Sequence, residues 1–339
     1  MTLPRGLRAA DVANRVHVGI MGAMTNEAEA NLRRGNDSFY RSNPADYLET
    51  KLNLLVLAGA RHVELGQMLM DGVEYAGIRI GPGLADPSSE EVAGAEVGDD
   101  DFDRYFTIES QRLLHHACET ALRLFLVHAS GSRTPWIEMN RDRSFPRFKK
   151  AVRATFVDGS PDPEAVALVC LGSRGPRESV TAEEWDEAVA SITAFLKAFA
   201  VCILDDAELY NGIKHGLGVT AGDAVLIVED SEIGAGPSVE YPVSSDWDAG
   251  GNRTWSVRTR WLDRTWSLGM VKVAINLIRT IWALGHYRHA GGPASGPVWF
   301  PGPFTPDNIR SAHRLGGRHM TWHLATEHDP NRRRRASRG

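Results

Sequence analysis

Leu209–Gly218, with the sequence Leu-Tyr-Asn-Gly-Ile-Lys-His-Gly-Leu-Gly, divides the chain into two parts with different hydrophobic periods. Before this stretch, apolar residues recur at the three- and four-residue spacing of helices, whereas several segments after it alternate between apolar and polar residues. The stretch also brings an amide, an ammonium and an imidazole within five positions, at Asn211, Lys214 and His215. We therefore expect any chemical centre of the protein to lie here.

The part before this stretch is predicted to be a helical bundle. Its main helices are expected at 7–34, 44–75, 102–128 and 182–208. Thr181 and Glu184 have the spacing of a capping box at the start of the last helix, in which each side chain bonds the backbone amide of the other residue. Residues 81–103 contain eight acidic residues and no basic one, a composition that predicts a solvated acidic loop.

The part after Gly218 is predicted to form a small antiparallel sheet of about three strands, followed by a helix at about 265–288. Residues 255–261 alternate cleanly: one face carries two tryptophans and is expected to be buried, and the other carries Arg258 and Arg260 and is expected to be exposed. The fold class is thus mainly α, a helical bundle with a small antiparallel β-sheet. We expect an N-terminal helix in 1–43, the bundle in 44–218, the sheet and last helix in 219–290, and an irregular, partly disordered tail in 291–339.

Composition limits the setting in which the protein works. The 339 residues carry a formal net charge of −5, which argues against indiscriminate coating of nucleic acid. The three cysteines, Cys118, Cys170 and Cys202, are widely spaced and have no metal-binding pattern, as expected for a reducing cytoplasm. The most apolar run, 268–284, contains Lys272, Asn276 and Arg279, so we expect no membrane span.

The segment Tyr210-Asn211-Gly212-Ile213-Lys214-His215-Gly216 resembles the Arg-Asn-x-Ile-x-His-Gly motif of HEPN domains. These domains are small helical bundles, and many are endoribonucleases of toxin–antitoxin and antiphage systems. Four positions match, while Tyr210 stands where the family has arginine, and the resemblance covers roughly residues 44–218. It implies a homodimer in which His215 acts as acid or base, Asn211 orients it or binds phosphate, and Lys214 or another cation replaces the missing arginine.

Further residues are candidates for substrate binding beside Tyr210. His116 and Arg123 belong to a polar stripe of the 102–128 helix, which is either a solvated face or the wall of a site. Arg279 and His286 are separated by six residues, a spacing also found in HEPN domains; a basic stripe near a helix C-terminus explains the pair equally well. Residues 133–153 combine seven basic and two acidic residues with three aromatics, the pattern of either a nucleic-acid surface or an amphipathic helix.

Two functions from different classes follow from these patterns. The first is a metal-independent endoribonuclease in a toxin or antiphage defence setting, which binds RNA and needs no cofactor. The second is a non-catalytic HEPN-like binding or regulatory subunit that acts with a cognate partner protein. A metal-dependent hydrolase using His319 and His323 is disfavoured, because the pair lacks a third ligand at a usable spacing.

Overall fold

The computed structural model describes residues 26–76, 78–80, 99–141, 144–176, 179–205, 207–215, 218–228, 231–248, 250–291, 298–309 and 319–328. Its helices are α1 (Asn26–Phe39), α2 (Pro44–Ala60), α3 (His62–Asp71), α4 (Asp99–Ala129), α5 (Pro135–Arg141), α6 (Phe145–Phe156), α7 (Pro163–Leu171), α8 (Ala182–Asp205), α9 (Ala207–His215) and α10 (Arg264–Ala290), with a short 3₁₀ helix at Pro306–Ile309. Its strands are β1 (Val73–Tyr75), β2 (Ile78–Ile80), β3 (Thr220–Val228), β4 (Ser231–Ser244), β5 (Asn252–Trp261) and β6 (His319–His328).

The predicted fold class is confirmed: the chain is mainly helical and carries a small antiparallel sheet. The sheet has four strands in the order β3-β4-β5-β6, one more than expected. The additional strand comes from the tail that we expected to be irregular, and it pairs with β5 from Asn252↔His328 to Arg260↔His319. Pairing satisfies backbone groups of β5 that an edge strand would leave open, a long-range gain that local composition does not reveal.

Several predicted boundaries differ in the helical part. The segment 44–75 forms two helices, which are separated at Arg61, and its last three residues form strand β1, which pairs with β2. The acidic loop ends earlier than expected, because α4 already begins at Asp99; carboxylates in a first turn are favoured by the helix dipole. Residues 1–25 and 81–98, which hold most of the predicted first helix and of the acidic loop, lie outside the described residues.

The chain forms two compact units, and both are discontinuous in sequence. Unit 1 comprises Met1–Ala45, Thr120–Ala200 and Asn276–Phe304, and unit 2 comprises Asp46–Glu119, Val201–Ile275 and Thr305–Gly339. Helices α4, α8 and α10 each contribute residues to both units. In unit 1, the core contains the fully buried phenylalanines Phe125, Phe195 and Phe199.

The predicted capping box at the start of α8 is confirmed. The Thr181 amide donates to Glu184 Oε2 at 2.9 Å, and the Glu184 amide donates to Thr181 Oγ1 at 3.2 Å. Two backbone N–H groups at the N-terminus of α8 are thereby satisfied by side chains. Hydrogen bonds from the Thr181 amide and the Thr181 hydroxyl hold the pKa of the Glu184 carboxyl below its usual value.

The core of unit 1 contains two linked, buried hydrogen bonds, which join Leu124, His128 and Tyr40. His128 Nδ1 lies 2.7 Å from the Leu124 carbonyl oxygen, which can only accept, so Nδ1 carries the proton. Nε2 therefore accepts from the Tyr40 hydroxyl, also at 2.7 Å. Burial lowers the pKa of His128 to about 4, so the ring is neutral at pH 7. Gly285 of α10 lies against this pair.

We expect Gly285→Ala to destabilise the protein by about 2 kcal/mol. A Cβ at this position would meet His128 Nε2 at 2.5 Å and the Tyr40 hydroxyl at 2.6 Å, two atoms that are already fixed by their mutual hydrogen bond. This clash outweighs the gain of about 1 kcal/mol in helix propensity. Urea denaturation measures the change in the free energy of unfolding.

Gly66→Ala in α3 is the matched control for Gly285→Ala. A Cβ there would meet nothing within 4 Å, so only the propensity term remains. We expect this variant to be about 0.5–1 kcal/mol more stable than the wild type. Equal stability of the two alanine variants would contradict the packing described around Gly285.

In unit 2, helix α9 packs on the sheet. Leu209 and Ile213 of α9 are buried, and they form one cluster with Val239, Tyr241 and Leu262. Two positions four residues apart share a face of a helix, so the burial of α9 follows its apolar stripe. The stretch Leu209–Gly218, where the hydrophobic period of the sequence changes, therefore also supplies the side chains that pack a helix against the sheet.

Two helices meet the length and composition expected of membrane-spanning helices. They are α8 and α10, whose most apolar windows have mean hydropathies of 1.8 and 1.4. Within the described residues, 56% and 67% of these windows are buried inside the folded chain. The same values are common for core helices, so they are weak evidence for a membrane span.

Candidate functional site at helix α9

Helix α9 carries the three residues that the sequence singles out as catalytic. Asn211 and Lys214 are exposed, because the apolar stripe of the helix turns the opposite side toward the sheet. His215 is the last residue of α9, and its side chain lies outside the described part of the chain. The predicted roles of these three residues stay predictions.

Tyr210, which occupies the position of the family arginine, packs against a buried histidine of α4. Its ring is stacked on the His115 ring, with centroids 4.5 Å apart and planes only 8° from parallel. His115 is 1% exposed, and neither ring nitrogen has a hydrogen-bond partner among the described residues. Burial, and secondarily the charge of Arg260, lowers the pKa of His115 to about 3. At neutral pH the stack is therefore uncharged, and Tyr210 has a packing role.

The arginine face of β5 is not the exposed face that we expected from its alternation. Tyr241 and Arg258 are directly opposite each other in neighbouring strands, as are Val239 and Arg260, so the arginines share the face on which α9 packs. Burial lowers the pKa of Arg260 below its usual value. Alternation alone identified the two faces correctly but could not show that α9 covers the charged one.

Arg258 supplies a cation beside α9 that the sequence reasoning missed as a site residue. Its Nη1 lies 4.0 Å from Glu208 Oε2 in the first turn of the helix, and its side chain keeps 27% of its surface exposed. It also lies directly opposite Tyr241 in the neighbouring strand. The pairing of Tyr241 with Arg258 depends on strand register, which no local motif records. A guanidinium therefore lies beside the first turn of α9, about two turns before His215.

His116, also in unit 2, packs edge-on against Tyr47 of α2. The two ring centroids are 5.9 Å apart, and Lys51 lies over the same tyrosine. Burial, followed by the charge of Lys51, lowers the pKa of His116, which favours the neutral ring. The residue is half-buried, so its stripe of α4 is only partly a solvated face.

Three other predicted positions belong to unit 1. The Arg123 guanidinium lies 4.1 Å from the centre of the Phe148 ring, which is buried. His286 Nε2 is 3.8 Å from Asp37 Oδ1, and its ring stacks on Tyr40 at 5.7 Å between centroids. Arg279 lies two turns earlier in α10 and is half-buried. Phe148 faces the core, which favours the amphipathic-helix interpretation of residues 133–153.

The structure thus places the predicted site residues in two sets. Asn211, Lys214, Tyr210 and the backbone of His215 belong to α9 and, with His116, to unit 2, whereas Arg123, Arg279 and His286 belong to unit 1. Among the residues that the structure describes, no group of three or more His, Cys, Asp or Glu side chains is arranged to hold a metal ion. No protein-family model, curated protein or solved structure matches this chain.

Proposed function

We propose that the protein is a metal-independent endoribonuclease of HEPN type, with its reaction centre at the end of α9. The observation that carries the proposal is that this one helix presents an exposed amide, an exposed ammonium and a terminal histidine position within its last five residues. Amide, imidazole and cationic groups are those that phosphodiester cleavage needs when no metal takes part.

In the proposed reaction, the 2′-hydroxyl of RNA attacks the adjacent phosphorus and the 5′-oxygen of the next nucleotide leaves. His215 removes the proton from the 2′-hydroxyl or delivers one to the leaving oxygen, a task suited to a side chain with a pKa near neutrality. Lys214 stabilises the charge on the phosphate oxygens, and Asn211 orients the phosphate or the imidazole. The products are a 2′,3′-cyclic phosphate and a 5′-hydroxyl end.

The same proposal extends to the biological setting. It places the protein in the cytoplasm as a homodimer, acting on RNA as a toxin or in antiphage defence, with a cognate partner protein that controls it. These parts rest on the resemblance of the α9 sequence to HEPN domains.

A non-catalytic binding or regulatory subunit is the second candidate function. The stack of Tyr210 on His115 favours it, because the motif position that carries arginine in the family here packs against a buried ring. In this alternative, α9 keeps its place on the sheet and its exposed face contacts a partner instead of cleaving a substrate.

A cleavage assay on the purified full-length chain separates the two functions. The probe is a labelled single-stranded RNA, tested with and without EDTA, and the control is the same sequence with 2′-deoxyribose throughout. We expect cleavage of the RNA alone, unaffected by EDTA, with cyclic phosphate ends. Loss of cleavage on chelation, or equal cleavage of the deoxy probe, would contradict the mechanism. Intact RNA would favour the binding subunit.

A further inference from the structure

Unit 1 contains a groove of about 950 Å³ that is remote in sequence from α9. The groove lies between α1, the C-terminal end of α10 and Arg133, two residues before α5. Its lining residues are Glu29, Ala30, Leu32, Arg33, Arg34, Asn36, Asp37, Arg133, Arg288, His289 and Ala290. The volume is at the upper end of those usual for small-molecule sites.

The groove is positively charged. Four arginines line it against two carboxylates, and burial lowers the pKa of His289, which favours its neutral form. Arg288 is committed to the fold, because it donates to the backbone carbonyls of Leu168 and Val169. Arg33 is exposed and makes no ion pair with any residue that the structure describes. Arg133 is paired with Glu29 at 3.4 Å, and Arg34 donates to Asn31 Oδ1 at 2.8 Å through an exposed side chain. The groove therefore offers an anion the exposed guanidinium groups of Arg33 and Arg34, and such groups bind phosphate with matched geometry.

Asn36 adds a buried polar group to the lining. It is 3% exposed, and its Nδ2 donates to the carbonyl oxygens of Arg133 and His289, each at 3.1 Å. Those two acceptors fix the amide orientation, so Oδ1 is the acceptor atom, and it has no donor among the described residues. This oxygen has almost no accessible surface, so Asn36 fixes the wall of the groove through its Nδ2 and is not itself a ligand contact.

We infer that this groove binds a nucleotide, either free or as a unit of single-stranded RNA. The exposed guanidinium groups of Arg33 and Arg34 hold the phosphate, and the remaining volume of the groove takes the ribose and the base. A simple anion would fill only a small part of the volume, whereas a nucleotide also occupies it with its ribose and base. This inference does not rest on the proposed cleavage at α9.

Binding measurements on charge-reversed variants test the inference. The probes are a fluorescein-labelled 12-nucleotide single-stranded RNA, followed by anisotropy, and AMP and inorganic phosphate, followed by calorimetry. The test variant is Arg33→Glu/Arg34→Glu. The matched control is Arg174→Glu, which reverses an exposed arginine of the same unit outside the groove. Circular dichroism and thermal unfolding confirm that both variants are folded.

We expect the double variant to lose at least about tenfold in affinity, while Arg174→Glu stays within about threefold of the wild type. Groove-dependent binding of AMP would identify a free nucleotide as the ligand, and binding of the RNA alone would identify a strand. Either result supports the site. Equal affinity of the two variants, no binding of RNA or AMP by the wild type, or phosphate binding as tight as AMP binding would overturn it. The inference would also be overturned if a poly-glutamate peptide displaced the labelled RNA as effectively as AMP does.

The outcome can be separated from that of the proposed ribonuclease. His215→Ala leaves every groove residue intact, so this variant should bind the probes with wild-type affinity. A chain that binds AMP in the groove but cleaves no RNA would retain the inference and remove the catalytic proposal. Cleavage without groove-dependent binding would do the reverse.

Discussion

Replacing His215 with alanine should reduce the rate of RNA cleavage by about 10²–10⁴-fold. A positioned acid or base usually contributes a factor of this size to a proton-transfer step, and alanine can neither accept nor donate the proton. Lys214 and Asn211 would still hold the phosphate, so RNA affinity should change little. Single-turnover cleavage rates at saturating protein measure the chemical step separately from binding.

His323→Ala is the matched control for this substitution. His323 is an exposed histidine of β6, and its Nε2 is 3.3 Å from the Thr326 hydroxyl. Removing it deletes an imidazole from the same unit without touching α9, so the cleavage rate should stay at the wild-type value. A His215→Ala rate within about threefold of wild type would move the reaction centre away from α9.

Replacing His115 with phenylalanine should stabilise the protein at pH 7 by about 1–3 kcal/mol. Phenylalanine keeps the aromatic stack on Tyr210 and removes two buried nitrogens that have no partner among the described residues. Burying a polar atom without a hydrogen bond costs free energy that an apolar atom of the same shape does not. Urea denaturation of the variant and the wild type measures the difference.

The stability difference between these two proteins should widen in acid. The pKa of His115 falls from 6.5 in the unfolded chain to about 3 in the fold, so the native state binds fewer protons between these values. Wild-type stability therefore falls as the pH decreases below 6.5, by about 1.4 kcal/mol per pH unit from this residue. The phenylalanine variant lacks this contribution, and by pH 4.5 its advantage should grow by about 2–3 kcal/mol.

His323→Ala again serves as the control, because its ring is exposed in the fold. This variant keeps His115, so its free energy of unfolding should fall in acid as that of the wild type does. If His115→Phe showed the same acid dependence as the wild type, His115 would not be the buried neutral ring described. His128, with its pKa lowered to about 4, contributes a similar slope in all three proteins.

Local patterns predicted those parts of the fold that depend on neighbours in the sequence. The capping box at Thr181, the helix that contains His128 and the change from helix to sheet after Gly218 all follow from spacing and period. The fourth strand, β6, was not predicted, because its pairing with β5 joins segments that are far apart in the chain. Register and strand pairing are long-range properties, and single-sequence periodicity carries no information about them.

The candidate sites show the same division. The exposure of Asn211 and Lys214 follows from the apolar stripe of α9 and was predictable. The covering of Arg258 by that helix was not, since it depends on which face of the sheet α9 selects. The groove in unit 1 was not predicted for a related reason. Asn36 contacts the carbonyl of His289, a residue 253 positions away, and no sequence motif links the two.

The interleaved order of the two units has a consequence for synthesis on the ribosome. Unit 1 needs Asn276–Phe304 to complete its core, and unit 2 needs Thr305–Gly339 to supply β6. Nearly the whole chain must therefore emerge before either unit can close. Until then, the apolar faces of the early helices stay exposed to water. Translation speed and chaperone access should therefore influence the yield of folded protein more strongly than they do for a protein whose domains follow one another in sequence.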